Sequence, residues 1–164
     1  MKLRDLKSED APLMLEWMHD ADCVGKLQSD FMSKTLDDCY NFIRYAQAPK
    51  DDLHLAIADD DGTYMGTVSL KHIDLSEKRA EFAIAIRRCA MGKGISRAAM
   101  AAILEKGLEE MGLKEIYWCV SPENKRAVKF YDKNGYPRIQ ANAIDAAHYT
   151  PEQIRSYIWY AVTR

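Results

Sequence analysis

Apolar and polar positions along the chain fall into two rhythms. One is short and of strand length, the other has helical spacing, and glycines punctuate both. Ala80-Glu81-Phe82-Ala83-Ile84-Ala85-Ile86 is an apolar run of strand length. After a short glycine loop, Ile95 to Glu110 carries apolar residues at helical spacing and stops at Gly112, a natural C-cap. Upstream, Leu53-His54-Leu55-Ala56-Ile57-Ala58 is strand-like, Asp59-Asp60-Asp61-Gly62 is a hairpin turn, and Tyr64 to Ile73 makes the return strand. Asp74 to Lys78 then turns the chain into the Ala80 strand.

The ends of the chain follow the same rules. Lys2 to Leu6 alternates as a short strand, and Asp10 is placed to cap a helix through about Asp20, with Leu13, Met14, Trp17 and Met18 inward. A second helix begins after Ser33, with Leu36, Tyr40, Ile43 and Arg44 at helical spacing, and Pro49-Lys50-Asp51-Asp52 breaks it. Glu115 to Val120 is a fifth strand rich in β-branched and aromatic residues. Ser121 is expected as the N-cap, and Pro122 as the first residue, of a helix running to about Asn134 and ended by Gly135. A strand from Tyr136, a loop around Ala141 to Pro151 and a last strand from Ser156 to Val162 complete the chain. Strands and helices in this order predict an α+β or α/β fold with a mixed sheet, and no linker or repeat marks a second domain within residues 1–164.

Composition narrows the function classes. With 48% hydrophobic and 29% charged residues the 164-residue chain reads as an ordinary soluble globular protein. A formal net charge of −2 gives no general pull toward nucleic acid or an anionic membrane. No apolar run approaches the roughly 20 residues of a membrane span, and Met1 to Leu6 lacks the apolar core of a signal peptide. Cys23, Cys39, Cys89 and Cys119 are scattered without a C-x-x-C, which predicts reduced thiols and a cytoplasmic protein. His19, His54, His72 and His148 show no ligand spacing with them, so no metal is expected.

Met91-Gly92-Lys93-Gly94-Ile95-Ser96 carries the candidate chemistry. A strand, a glycine loop and a helix start together build an anion pocket. Glycines let the backbone approach a ligand, and the free N–H groups and positive dipole end of the helix face a phosphate. The same pattern also serves as a plain strand–helix connection. Gly94 is followed by Ile95 rather than Lys, so the loop is not a P-loop, and no G-x-x-G completes a dinucleotide fingerprint.

The loop resembles the acetyl-CoA loop of the GNAT superfamily of N-acetyltransferases, Q/R-x-x-G-x-G/A, with Met91 and Ser96 departing at its two ends. A second stretch, Asn124-Lys125-Arg126-Ala127-Val128-Lys129-Phe130-Tyr131-Asp132-Lys133-Asn134-Gly135-Tyr136, is similar to the superfamily's N-x-x-A-x-x-x-Y-x-K-x-G-F/Y. At about 3.6 residues per turn, Asn124, Ala127, Val128 and Tyr131 share one face. Read without the resemblance, Tyr131 is equally a core aromatic and Asn124 a cap. The resemblance runs from the first strand to about Tyr136 and fades after Pro137.

The resemblance implies a three-layer GNAT-like fold whose mixed, mostly antiparallel sheet is flanked by helices, and a single acetyltransferase domain over residues 1–164. It also implies acetyl-CoA as co-substrate, with no metal. Backbone groups of Ile84, Ala85 and Ile86 would pair with the pantetheine as if it were another strand. Gly92, Lys93, Gly94, Ile95, Ser96 and Arg97 would hold the pyrophosphate, Asn124 would help seat the cofactor, and Tyr131 would protonate the departing thiolate. Glu81, near where several members place a glutamate, would accept the amine proton. An outward carboxylate paired with Arg79 or Lys71 explains Glu81 as readily, and His72 is a second candidate base.

The acceptor implied is a primary amine on a small molecule or a protein N-terminus, with neither nucleic acid nor membrane as partner and the chain a monomer or homodimer. The helix pattern resembles the branch holding ribosomal-protein N-terminal, spermidine and amino-sugar acetyltransferases. Glu16, Asp20, Asp22, Asp30, Asp37 and Asp38 make the N-terminal helices acidic, as a cationic amine would require and as a solvated helix face also explains. A non-catalytic acyl-CoA-binding or sensing domain is the alternative from another class, and a nucleotide-binding α/β domain is a third.

Overall fold

A computed structural model describes residues 1–27, 29–48, 50–140 and 148–164. Pro49 and residues 141–147, most of the loop expected around Ala141 to Pro151, lie outside the described residues. Strands β1 (Lys2–Asp5), β2 (Leu53–Ala58), β3 (Tyr64–Asp74), β4 (Arg79–Ile86), β5 (Glu115–Val120), β6 (Arg138–Ile139) and β7 (Ile158–Thr163) form one sheet in the order β1-β2-β3-β4-β5-β7-β6. All neighbours pair antiparallel except β4 and β5. The result is a mixed α+β sheet, mostly antiparallel, with helices on both faces.

Strand alternation assigns the faces. Leu55, Ile57, Val68, Leu70, Ala80, Phe82, Ile116 and Trp118 bury one face under helices α4 (Ile95–Glu105) and α5 (Lys125–Lys133). The opposite face has two separate clusters. Helices α1 (Ala11–Met18), α2 (Ala21–Val24) and α3 (Leu36–Gln47) cover its N-terminal half through Met14, Trp17, Val24, Cys39 and Ile43. Tyr117, Trp159 and Ala161, with Tyr149 and Ile154, cover the C-terminal half. Strand β4 runs between them and presents Arg79, Glu81, Ala83 and Ala85 there, with Arg79 over the Tyr117 ring.

Several local expectations shift. Asp10 occupies the N-cap position of α1, yet its buried carboxylate accepts two bonds of 2.8 Å from the Arg4 guanidinium and one of 2.8 Å from the Lys7 N–H. Ser121 does not cap α5. Asn124 does, its side-chain oxygen accepting the Ala127 N–H at 3.3 Å, while Ser121 to Asn124 closes a separate turn. Both residue types cap well, and the one nearer the apolar stripe wins. Helix α4 ends at Glu105 and continues as one π turn, Lys106–Glu110, in which Gly107 lies against Ile116 and Leu70. Pro151–Ser156 is a short helix, α6, opened by a Thr150–Gln153 capping box, so the last strand starts at Ile158 rather than Ser156.

Candidate active site

The site begins where the sheet divides. Strands β4 and β5 pair in parallel only at Arg79–Glu115, Ala80–Ile116 and Glu81–Tyr117. Beyond Glu81, β4 keeps an unbroken register with β3 to Ile86, whereas β5 stays with β7 to Val120. From Phe82 to Ile86, then, β4 turns alternate N–H and C=O groups toward a fork that no strand among the described residues enters. An extended chain carrying amides can complete that pairing, and Ile84, Ala85 and Ile86 line it. The continuous register also holds Glu81 on the same face as Ala83 and Ala85, since no bulge intervenes.

The fork opens toward the glycine loop. Gly92 (φ 75°) and Gly94 (φ 76°) both adopt left-handed backbone, and nothing lies within 4 Å of a β-carbon built on either. Gly94 is the N-cap of α4 and makes no side-chain cap, so the first-turn N–H groups of Ile95, Ser96 and Arg97 face open space. A depression of about 300 Å³ lies between Lys93, Gly94, Ile95 and Ala98 on one side and Met1, Asp59 and Asp60 on the other. Two features at the start of α4 suit an anion: the helix dipole and the Arg126 guanidinium, whose Nη1 stands 3.1 Å from the Met91 sulfur. Arg126 thus brings a cation to the position where the resembling motif carries Arg or Gln. Its place inside the N-x-x-A stretch was visible in the sequence, but its reach across to Met91 was not.

Helix α5 supplies the other wall. Asn124 sits at its cap with the amide nitrogen uncommitted among the described residues. Tyr131 is buried in an aromatic group, its ring centroid 5.4 Å from Trp118, 5.1 Å from Tyr160 and 5.5 Å from Phe130. It is therefore the core aromatic that spacing alone also allowed. Its hydroxyl has no hydrogen-bond partner among the described residues. Burial first, then the neighbouring Tyr160, Cys119 and Tyr136, pushes its pKa well above the ordinary phenol value, so it carries its proton at any working pH.

On the other face, Glu81 is 5% exposed. Its Oε1 lies 3.3 Å from the Lys71 ammonium, whereas Oε2 is shielded from solvent with no hydrogen-bond partner. Arg79, the other expected partner, pairs with Glu115 at 2.8 Å. The Tyr149 phenol lies beside Glu81 and Cys119, and its pKa rises through burial first and then through those two neighbours. Tyr149 follows the stretch where the resemblance fades, so no motif announced it. His72 adopts φ 51° and stacks on His148 with centroids 3.6 Å apart, and burial lowers its pKa. Glu81 is among the charges that act on it.

Three of the six acids expected at the acceptor entrance are already paired. Arg87 binds Glu16 at 3.0 Å, and Arg88 binds Asp20 at 2.6 Å and Asp22 at 2.7 Å. The Arg88 contact holds the Asp20 carboxyl far below the usual range. Asp38 caps α3 through Thr35. These charges fasten α1 and α2 to the segment between β4 and the glycine loop. Among the described residues no group of three His, Cys, Asp or Glu is gathered as a metal site, and no helix is long and apolar enough to cross a membrane.

The sequence pattern described as Acetyltransferase (GNAT) domain matches residues 1–137. Spermidine N(1)-acetyltransferase of Escherichia coli (strain K12) is 28% identical over 142 residues, covering 83% of this chain and 72% of that protein. The corresponding enzyme of Vibrio cholerae serotype O1 is 29% identical over 101 residues, 62% of this chain and 57% of that one. The fold superposes on a crystal structure of spermidine N-acetyltransferase from Vibrio cholerae in complex with CoA and spermine. That match has a TM-score of 0.81 at 18% identity, covering 99% of this chain and 94% of the other. An acetyltransferase of the GNAT family from Bacillus anthracis matches with a TM-score of 0.75 at 20% identity, covering 98% and 93%.

Proposed function

Because the chain belongs to the GNAT acetyltransferase family, we propose that it transfers the acetyl group of acetyl-CoA to a primary amine, with spermidine the first acceptor to test. The observation that carries this reading is the fork: β4 leaves β5 after Glu81 and runs, still paired with β3, to Ile86, from which one 3-10 turn at Arg88–Ala90 leads to the glycine loop and the start of α4. A slot for an extended amide arm and a pocket for a pyrophosphate therefore lie end to end.

The residues divide the work. Acetyl-CoA supplies an activated thioester whose leaving thiol has a pKa near about 8.5. Backbone groups of Ile84 to Ile86 pair with its amide arm, and an N–H among them polarises the carbonyl. Gly92 to Arg97 hold the pyrophosphate, with Arg126 beside Met91, and Asn124 seats the arm from the α5 side. An alkylammonium of pKa about 10 must lose a proton before it attacks. Glu81, with Oε2 unpartnered, takes that proton directly or through water. Tyr131 holds the proton that the departing thiolate needs. Its burial opposes release until negative charge develops within hydrogen-bond reach.

Support for a small cationic acceptor comes from the strip between the two clusters, where Ala83 and Ala85 leave room beside the Glu81 carboxylate. A thiol-release assay with acetyl-CoA tests the proposal across polyamines, amino sugars, amino acids and N-terminal peptides. Turnover with a primary amine is expected. Acetyl-CoA binding without thiol release for any acceptor would replace this reading with a binding-only domain.

A further inference from the structure

Strands β2, β3 and β4 line up three residues in one row across the sheet: His54 pairs with Ser69, and Ser69 with Ala83. Alternation puts all three on the face that carries Glu81. The row runs from buried to open. His54 and Ser69 are 7% and 6% exposed, whereas Ala83 is partly exposed and belongs to none of the three apolar clusters among the described residues. The Ser69 hydroxyl oxygen lies 2.6 Å from Nδ1 of His54. Two packed apolar side chains would join these strands about as well, because a buried hydrogen bond adds little net stability. What the polar pair adds is a hydroxyl with a fixed direction.

Its neighbours set that direction. Nε2 of His54 stands 3.4 Å from the Asp52 carboxylate, and a carboxylate only accepts, so Nε2 carries the ring hydrogen. Burial, the first cause, lowers the pKa of His54 against the opposing pull of Asp52, so the ring is neutral and has one hydrogen. Nδ1 is then an acceptor, and Ser69 donates its hydroxyl hydrogen to it. The ring is braced on both sides. Phe42 meets it edge to face with centroids 4.7 Å apart, and Asp52 is held in turn by the His72 N–H at 2.9 Å. With its hydrogen committed toward β2, Ser69 Oγ keeps lone pairs for the β4 side, where no described residue donates to them.

A primary amine about to attack has one lone pair and two N–H bonds. Aiming the lone pair at the carbonyl carbon requires acceptors that hold the N–H bonds elsewhere, and such alignment is worth much of a barrier. From this row we propose that Ser69 is an acceptor-binding residue: its Oγ accepts an N–H of the attacking nitrogen over Ala83, and His54 is the positioning residue that keeps the hydroxyl an acceptor. The inference rests on the reading of the chain as an amine acetyltransferase. It also narrows the acceptor class. A secondary amine has one N–H fewer to offer, so the row favours primary amines over their N-methyl counterparts.

The test compares the fastest primary amine of the panel with its N-methyl derivative, as kcat/KM for the parent, Ser69→Ala and His54→Phe. Melting temperature and acetyl-CoA affinity are measured on the same preparations. The parent should prefer the primary amine. Ser69→Ala is expected to reduce that preference by about 3–10-fold, the weight of one uncharged hydrogen bond, with acetyl-CoA affinity unchanged. His54→Phe keeps a ring against Phe42 but no ring nitrogen, and should erode the preference likewise although Ser69 is present. A parent that uses both amines equally, or a Ser69→Ala variant with the parent's preference whatever its Tm or overall rate, overturns the proposal and leaves the pair a tie between β2 and β3. Erosion in Ser69→Ala with none in His54→Phe overturns the role of His54. If no amine releases thiol from acetyl-CoA with the parent, the acetyltransferase reading itself fails and takes this one with it.

Discussion

Phe82 and Trp118, the first residues past the last β4–β5 pair, meet edge to face with ring centroids 5.4 Å apart. Both rings are buried, and they fill the root of the fork on the α4 side. Aromatic pairs of this geometry contribute about 0.5–1.5 kcal/mol beyond their area. Their bulk also occupies the place where further strand pairing would bring the two side chains closer.

Phe82→Ala should therefore affect two properties at once. Truncating a buried phenylalanine costs about 3–5 kcal/mol, which for a chain of this size lowers Tm by roughly 6–20 °C. Acetyl-CoA affinity should fall as well, because the fork is free to narrow. Calorimetric melting and a binding isotherm check both, and unchanged affinity in the folded variant would show that the rings pack without shaping the fork.

Tyr131→Phe removes one hydroxyl and keeps the ring among Trp118, Tyr160 and Phe130. Because that hydroxyl has no partner among the described residues, Tm and acetyl-CoA affinity should barely change. General acid catalysis contributes about 10²–10⁴-fold, so kcat should drop by that order. A normal kcat would assign the thiolate's proton to water and leave Tyr131 a packing role.

How much of this was legible beforehand follows from how local each signal is. The β4–glycine–α4 unit shows in consecutive residues, because period-two alternation, paired glycines and a helical stripe are written side by side. The face of Glu81 follows from that alternation once no bulge intervenes. The start of α5 is ambiguous in the sequence because Ser121 and Asn124 are both competent caps. Helix α6 opens on a Thr150-Pro151-Glu152-Gln153 capping signal at the end of the expected loop, but its six residues are too few to show a helical stripe. Tyr149 beside Glu81, Arg126 on Met91 and Arg88 on Asp20 and Asp22 join distant parts of the chain. Only the closed sheet brings such pairs together, and a single sequence carries no local mark of them.

Gly94→Asp should abolish acetyl-CoA binding in a chain that still folds. Nothing lies within 4 Å of the added β-carbon, and aspartate tolerates left-handed backbone better than most residues. Its carboxylate would stand in front of the first-turn N–H groups of α4, where a phosphate must approach. Calorimetry on the folded variant tests this, and parent-like affinity would remove the loop from the binding site.

The buried phenols predict a loss of stability in alkali. Burial is the first cause that raises the pKa values of Tyr64 and Tyr131, and it lifts Tyr160 to about 12. Above pH ~10, the ordinary phenol value, the unfolded chain sheds protons that the folded chain keeps. Stability from these groups is thus complete below that pH and declines as pH climbs through the folded values. Tyr64→Phe should lower Tm at neutral pH, since it strips Trp17 Nε1 of its 2.8 Å acceptor, and should flatten the decline of Tm above pH ~10. Melting curves from pH 8 to 12 check both halves, and an equally steep decline in the variant would refute the assignment.

The short parallel pairing also makes β4 a central strand by position and an edge strand by chemistry. Among the described residues, its alternate amides between Phe82 and Ile86 have no neighbouring strand on the β5 side. In the ligand-free protein they should trade hydrogen for deuterium quickly, at rates ordinarily seen at the rim of a sheet, while those facing β3 stay protected. An unpaired row of this kind ordinarily invites self-association, yet here it lies inside a fork closed at its root by two aromatic rings. Only a chain thin enough to enter can dock there, so what would be a hazard on an outer strand becomes a filter for slender ligands.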